Sequence, residues 1–278
     1  MSYRLIAFDL DGTMLDDDKK LPRENLEAME IAAERGVYLV PATGRIIPAM
    51  PECIMELDFI RYFICSNGAY VYDRKEDRVL YKGEIEKELA LKTMEYMDKL
   101  PVIYDCYRDN KAYMTRKMYN DAERFFPDQP HMLEMVKRLR RPVDELKSFV
   151  RENEGDYQKV QMFFAPEDMD LREEQLESFE KHFPRLRATS SVKNNIEINS
   201  CNAGKGKALK ALAEHLGIKM EQTAAFGDGS NDCEMLSMAG CGIAMENACP
   251  ELKKLADRQT LGNNRAGVGK AIKELLEQ

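Results

Sequence analysis

Two aspartates one residue apart close an apolar run: Leu5-Ile6-Ala7-Phe8 leads into Asp9-Leu10-Asp11-Gly12-Thr13. The run predicts a buried strand, and the glycine permits a sharp turn after it. A carboxylate left unpaired at the end of a core strand is costly, or takes up a proton. A bound cation, a reacting phosphate, or both would account for the pair. The chain repeats the form once, where Thr223-Ala224-Ala225 runs into Phe226-Gly227-Asp228-Gly229-Ser230-Asn231-Asp232. In an open sheet two such turns lie side by side at the carboxyl ends of their strands, where ligands bind in such folds.

Taken with two further stretches, these residues resemble the haloacid dehalogenase superfamily, and within it the Cof-like sugar phosphatases with a large α/β cap. Asp9, Asp11 and Thr13 match the family's Asp-x-Asp-x-Thr motif. Thr43 in Pro41-Ala42-Thr43-Gly44-Arg45 matches its second motif, Lys205 in Lys205-Gly206-Lys207 its third, and Asp228, Asn231 and Asp232 its fourth. Ser66-Asn67-Gly68-Ala69 and Ala244-Met245-Glu246-Asn247-Ala248 also look like the family. A lone Asp-x-Asp is weak evidence; four motifs in order, with room for an insert, are specific.

The resemblance implies a Mg²⁺-dependent phosphatase that hydrolyses small phosphate monoesters, sugar phosphates foremost, through an aspartyl-phosphate. Phosphoryl transfer asks for an in-line nucleophile, positive charge around the equatorial oxygens and a proton for the leaving group. Asp9 fits as nucleophile. Asp11, two residues on, fits as the acid that protonates the leaving oxygen and the base that then activates water. Family members that cleave carbon–halogen or carbon–phosphorus bonds generally lack an acid there, so Asp11 points to phosphate esters. Mg²⁺ prefers a few oxygen ligands, and the resemblance implies Asp9, Asp228 and the Asp11 main-chain carbonyl. Asn231 and Asp232 would stand behind them, orienting waters and Lys205. Lys205 would offset charge between nucleophile and phosphate, and Thr43 would bond a phosphoryl oxygen. Main-chain N–H groups at Leu10–Gly12 and Gly44 would form an anion nest. Asn231 is also a candidate phosphate contact. Arg45 reads equally as a substrate contact or a structural salt bridge. Asn67 reads as a pocket residue or a turn stabiliser, and Asn247 as a helix cap or a support behind the acids.

The elements that must position these residues alternate strand and helix at both ends of the chain. Leu21-Pro22 opens a helix that stops at Gly36, a strand over 37–40 ends near Thr43, and a proline-interrupted helical segment covers 46–57. A strand over 62–65 and a hairpin of 70–72 with 79–81 follow. Such alternation predicts right-handed crossovers and a parallel, Rossmann-like sheet. From about residue 84 the texture changes to grouped strands and helices, which suggests a compact α+β unit. The expected organisation is therefore an α/β catalytic core of residues 1–83 and 198–278, interrupted by an α+β cap over 84–197. In this family such inserts cover the active site. Arg108-Asp109-Asn110 and Lys193-Asn194-Asn195 are candidate specificity turns or plain solvated ones.

Composition narrows the classes. The chain has 278 residues and a formal charge of −8, which argues against a nucleic-acid surface. Lys137-Arg138-Leu139-Arg140-Arg141 is the local exception and reads as a solvated helix end. Seven cysteines without a Cys-x-x-Cys pair and three scattered histidines argue for free thiols in a reducing cytoplasm and against zinc. The start is already the first core strand, so no signal peptide is expected, and no apolar run approaches the roughly 20 residues of a membrane span. The expected partner is a small phosphate ester, with the oligomeric state open. Two competing functions keep the same fold, a phosphomutase of the phosphomannomutase type and a non-catalytic ligand-binding regulator. The Thr-Gly-Arg and Gly-Asp-x-x-Asn-Asp stretches favour the hydrolase.

Overall fold

The computed structural model describes residues 3–277, so the domain limits set at 1 and 278 lie outside the described residues. The chain divides into two units: 1–45 with 50–82 and 203–278, and 46–49 with 83–202.

The first unit is built on a parallel sheet. Its strands are β1 (Leu5–Phe8), β2 (Tyr38–Pro41), β3 (Tyr62–Cys65), β4 (Tyr70–Asp73) and β5 (Arg78–Lys82). After the second unit come β12 (Thr223–Gly227), β13 (Cys241–Ala244) and β14 (Arg258–Gln259). The order β14-β13-β12-β1-β2 is parallel throughout, with β1 between β2 and β12 and in register with β12 (Phe8 opposite Phe226). β1 is apolar throughout and fully buried, as a strand covered on both faces must be. β3, β4 and β5 form an antiparallel meander, joined to the end of β2 by a parallel bridge from Ala42 to Ile64. The helices Arg23–Glu34 and Gly267–Leu276 pack side by side, and Lys205–His215 packs against Cys233–Met238.

The second unit carries a six-stranded sheet. Its strands are β6 (Val102–Arg108), β7 (Lys111–Thr115), β8 (Arg140–Val143), β9 (Lys159–Phe164), β10 (Leu186–Thr189) and β11 (Asn195–Ser200). The order is β10-β11-β9-β6-β7-β8, antiparallel except for β7 beside β8. Alternation along the strands separates two faces. Tyr104, Cys106, Val160, Met162, Ile196 and Ile198 belong to one apolar cluster with residues of the helix Lys87–Met97. Ile103, Met114 and Phe163 belong to another with Phe125, Phe126 and Val136. The segment 46–49 packs Ile46 and Ala49 with Tyr107 and Ala112.

The basic stretch meets the sequence expectation only in part: Lys137, Arg138 and Leu139 do close the helix Pro130–Leu139. Arg140 opens β8, is buried, and donates from Nε to Asp105 at 2.8 Å and from Nη2 to the Tyr107 hydroxyl at 2.7 Å. Arg140 and Arg141 are strand residues instead, and a run of like charges carries no sign of the carboxylate 35 residues away that Arg140 meets. The 193–195 turn also spends its amides internally: Asn194 donates to the carbonyls of Phe125 and Phe164, and Asn195 accepts from the main chain of Ser191 and Val192. Among the described residues no helix is long and apolar enough to cross a membrane.

Candidate active site

β1 and β12 are neighbours, so the acids that end them meet. One oxygen from each of Asp9, Asp228 and Asp232 falls within 4.8 Å of the others. Lys205, the first residue of the helix Lys205–His215, is buried and donates to Asp9 Oδ1 at 2.7 Å and to Asp232 Oδ1 at 2.6 Å. Two of the three carboxylates thus bond one ammonium, and Asp228 stands beside them. Burial pushes the Asp9 carboxyl up to about 7 against the pull of Lys205, and Asp232 and Asp228 add to the rise. Asp228 is raised as well, by burial first, while the Thr13 hydroxyl that donates to its Oδ1 at 2.7 Å works the other way.

The donor set fits a hard divalent cation. Every candidate ligand atom is an oxygen, and the cluster carries more negative charge than Lys205 can balance. Asp232 has its oxygens committed, Oδ1 to Lys205 and Oδ2 to the main-chain N–H groups of Asp228 (3.1 Å) and Gly229 (3.0 Å). It therefore orients the lysine and the turn. Asp9 and Asp228 each spend one oxygen on a protein donor and keep another for a ligand. Lys205 is oriented by Asp232, while Asn231 donates to Asn67 Oδ1 at 3.3 Å.

Two turns need glycine to close the site. Gly12 sits at φ +84°, and a Cβ there would lie 2.5 Å from Asp228 Oδ2. Gly68 follows Ser66 and Asn67, all three at positive φ (49°, 57° and 85°). Its absent Cβ would lie 2.2 Å from the Gly204 carbonyl, just before Lys205. Ser66 and Asn67, buried non-glycine residues with left-handed backbone, store strain that Gly68 does not add to. Here it lets the chain pass close beneath the start of the Lys205 helix and sets Asn67 beside Asn231.

Asp11 stands outside the acid cluster. Arg45 grips it with two bonds, Nε to Oδ2 and Nη2 to Oδ1, both 2.8 Å, and Lys19 adds an ammonium 3.0 Å from Oδ1. Burial would raise this carboxyl, but Arg45 and Lys19 outweigh it and hold it at about 2. Of the two readings of Arg45 the ion pair is the arrangement seen. Lys19, on a surface turn at φ 62°, gave no signal in the sequence. Thr43 is buried and accepts at Oγ1 from the Arg45 main-chain N–H at 3.3 Å, while Gly44 lies between them. Leu10 is buried, and its carbonyl accepts from the main chain of Thr13 and Leu15. Asn247 donates to the Gly12 carbonyl at 2.7 Å, so its amide holds the turn after Asp11.

Known proteins match almost the whole chain. The family model for haloacid dehalogenase-like hydrolases matches residues 6–272. The phosphatase YwpJ of Bacillus subtilis is 32% identical over 289 residues, covering 98% of this chain and 100% of the relative. The 5-amino-6-(5-phospho-D-ribitylamino)uracil phosphatase YcsE of Bacillus subtilis is 31% identical, covering 98% and 96%. A solved structure of a haloacid dehalogenase-like hydrolase from B. subtilis superposes with a TM-score of 0.79 at 30% identity, covering 98% of this chain and 100% of its own. Because the match takes in β1, β12 and the lysine helix together with the inserted unit, the chain belongs to the haloacid dehalogenase-like hydrolases.

Proposed function

We propose that the chain is a Mg²⁺-dependent phosphatase acting on small monoesters of sugar or polyol type through an aspartyl-phosphate on Asp9. The observation that carries this reading is the cluster of buried Asp9 and Asp232 with half-buried Asp228 around Lys205. Its surplus negative charge suits a cation and, with it, a phosphate. Relatives named for a ribityl phosphate substrate at 31% and 29% identity support the substrate class.

In this reading Asp9, Asp228 and the Asp11 carbonyl would hold the cation, which when bound would offset the charge of the phosphoryl group. The Asp9 carboxylate attacks phosphorus in line with the leaving oxygen. Lys205 holds Asp9 through one oxygen and places positive charge beside the phosphoryl oxygens. Thr43 and the main chain at Leu10–Gly12 and Gly44 supply further donors. Asp11 gives a proton to the leaving alcohol and later takes one from water. A carboxyl gripped by Arg45 and Lys19 is ionised and has no proton to give, so Asp11 must surrender part of that pairing and take up a proton from solvent first. The entering phosphate dianion is the natural competitor for both cations. The cap assigned to 84–197 would select the alcohol. The seven cysteines, read as free thiols, favour a reducing cytoplasm as the place of action.

Phosphate release from a panel of sugar, polyol and nucleotide monophosphates, with Mg²⁺ and with EDTA, tests the reading. Release that needs the metal and disappears in Asp9→Asn is the expected result. Release that survives exhaustive chelation would remove the metal, and wild-type turnover in Asp9→Asn would remove the nucleophile. Phosphoryl transfer between positions of a sugar, without net release, would shift the assignment to a mutase.

A further inference from the structure

The turn after Asp11 is gripped from outside by side chains to which the reaction gives no part. Asn247 donates from Nδ2 to the Gly12 carbonyl at 2.7 Å and accepts at Oδ1 from the Asn263 main-chain N–H at 3.1 Å. Asn263, only 4% exposed, donates from its own Nδ2 to the Leu15 carbonyl at 3.1 Å and to Asp17 Oδ1 at 3.0 Å. Asn264 pairs with Asp17 in both directions: its Nδ2 donates to Oδ2 at 2.8 Å, and the Asp17 N–H donates to its Oδ1 at 3.1 Å. Three asparagines from two separate loops thus close on residues 12–17.

The need for such a clasp follows from Gly12. The approach of Asp228 forbids any side chain at position 12, so the residue directly after Asp11 is also the one whose backbone is least restricted. A carboxylate ligand can re-aim by rotating its side chain. A main-chain carbonyl cannot; its direction is that of its peptide plane, which Gly12 shares. Mg²⁺ tolerates little misdirection, because it demands near-octahedral geometry. On one side the turn is tied to β12 through Thr13 and Asp228. On the other, the three asparagines oppose a swing of the 12–17 main chain, and Asn25 adds a bond from Nδ2 to the Met14 carbonyl at 2.9 Å.

We infer that Asn247, Asn263 and Asn264 are positioning residues that fix the main chain beyond Asp11, and thereby hold the Asp11 carbonyl in the direction a divalent cation requires. The inference rests on the cation site proposed above. The clasp touches neither substrate nor cation; its bonds go to the Gly12 and Leu15 carbonyls and to Asp17, and it acts on the Asp11 carbonyl through the Gly12 main chain that follows it.

Calorimetric titration of Mg²⁺ into metal-free protein tests this without turnover, comparing wild type with Asn263→Ala, Asn264→Ala and Asn194→Ala. Asn194 is the control: it is also buried and also donates to two carbonyls, but in the second unit. Asn263→Ala should weaken Mg²⁺ binding by about tenfold or more, the range seen when supports behind metal ligands are removed. Asn264→Ala should weaken it less, and Asn194→Ala should lower Tm while leaving the affinity unchanged. Wild-type affinity in both clasp variants would overturn the inference and leave the cation site standing. No binding by wild type would overturn both. Should Asn263→Ala fail to fold, Asn264→Ala, at an exposed position, decides the question on the same terms.

Discussion

Each unit of this molecule buries a network of charges, and the two networks differ in their balance. In the first, Asp9, Asp228 and Asp232 face one cation, Lys205. In the second, on one face of the six-stranded sheet, Arg140 donates to Asp105 at 2.8 Å and Lys159 to Glu197 at 2.9 Å, two cations for two carboxylates. Tyr107 joins the pairs, accepting from Arg140 and lying 4.6 Å from the Lys159 ammonium across its ring. Burial raises Asp105, and Arg140 resists that rise, as at Asp9 with Lys205. A balanced network is complete as a piece of protein. An unbalanced one takes up a proton or a ligand, and that excess is the ground on which the first is proposed as the working site.

The comparison can be broken at several points. The largest effect is expected from Lys205→Met, which removes the ammonium that Asp9 and Asp232 share. Turnover should fall about a hundred- to thousandfold, as when one preorganised donor is lost, measured as kcat on the best substrate of the panel. A loss confined to KM would mean that Lys205 only gathers substrate. Next, Arg140→Met strands Asp105 in the second unit and should cost about 3–5 kcal/mol in urea unfolding. The double variant Asp105→Leu/Arg140→Met should recover much of it. If the single variant unfolds like wild type, the second network is not a closed structural pair.

A smaller effect separates the networks by ligand. Mg²⁺ at about 100 times its Kd should stabilise wild type by about 2.7 kcal/mol, and Asp228→Asn should lose most of that gain. Arg140→Met, though less stable, should keep it. An equal gain in Asp228→Asn would move the cation elsewhere.

The last effects are those of pH on the metal-free protein, and the two acids of the first motif have opposite signs. Asp9 titrates at about 7 in the fold against its ordinary 3.8, so between those values the folded chain holds a proton the unfolded chain has released. Stability therefore falls as pH rises through that window. Asp11 is held at about 2 against the same ordinary 3.8, so its contribution is present above 3.8 and is lost as pH falls toward 2. Unfolding free energy measured across pH should show both slopes. Asp9→Asn should flatten the upper one and Arg45→Met the lower. An unchanged upper slope in Asp9→Asn would assign it to another group.

The local chemistry of the site was legible in the chain. An apolar run ending in acids declares a buried strand and an unmet charge whatever surrounds it, so β1 with Asp9 and β12 with Asp228 could be read directly. The core helices were readable on the same ground, since periodicity and stop signals lie within a dozen residues. The partners of these residues were not. Arg45 on Asp11, Asp105 beside Arg140, and Asn247, Asn263 and Asn264 closing on the turn after Asp11 are contacts across 34 to 248 residues of chain. Lys19 is nearer to Asp11 along the chain, but it reaches the carboxylate from a surface turn whose course the sequence leaves open. A hydrogen bond or ion pair depends on distance and direction, and a sequence records neither. Residue types and strand ends therefore belong to the sequence; which carboxylate carries surplus charge, and which carbonyl is held still, was decided only by the fold.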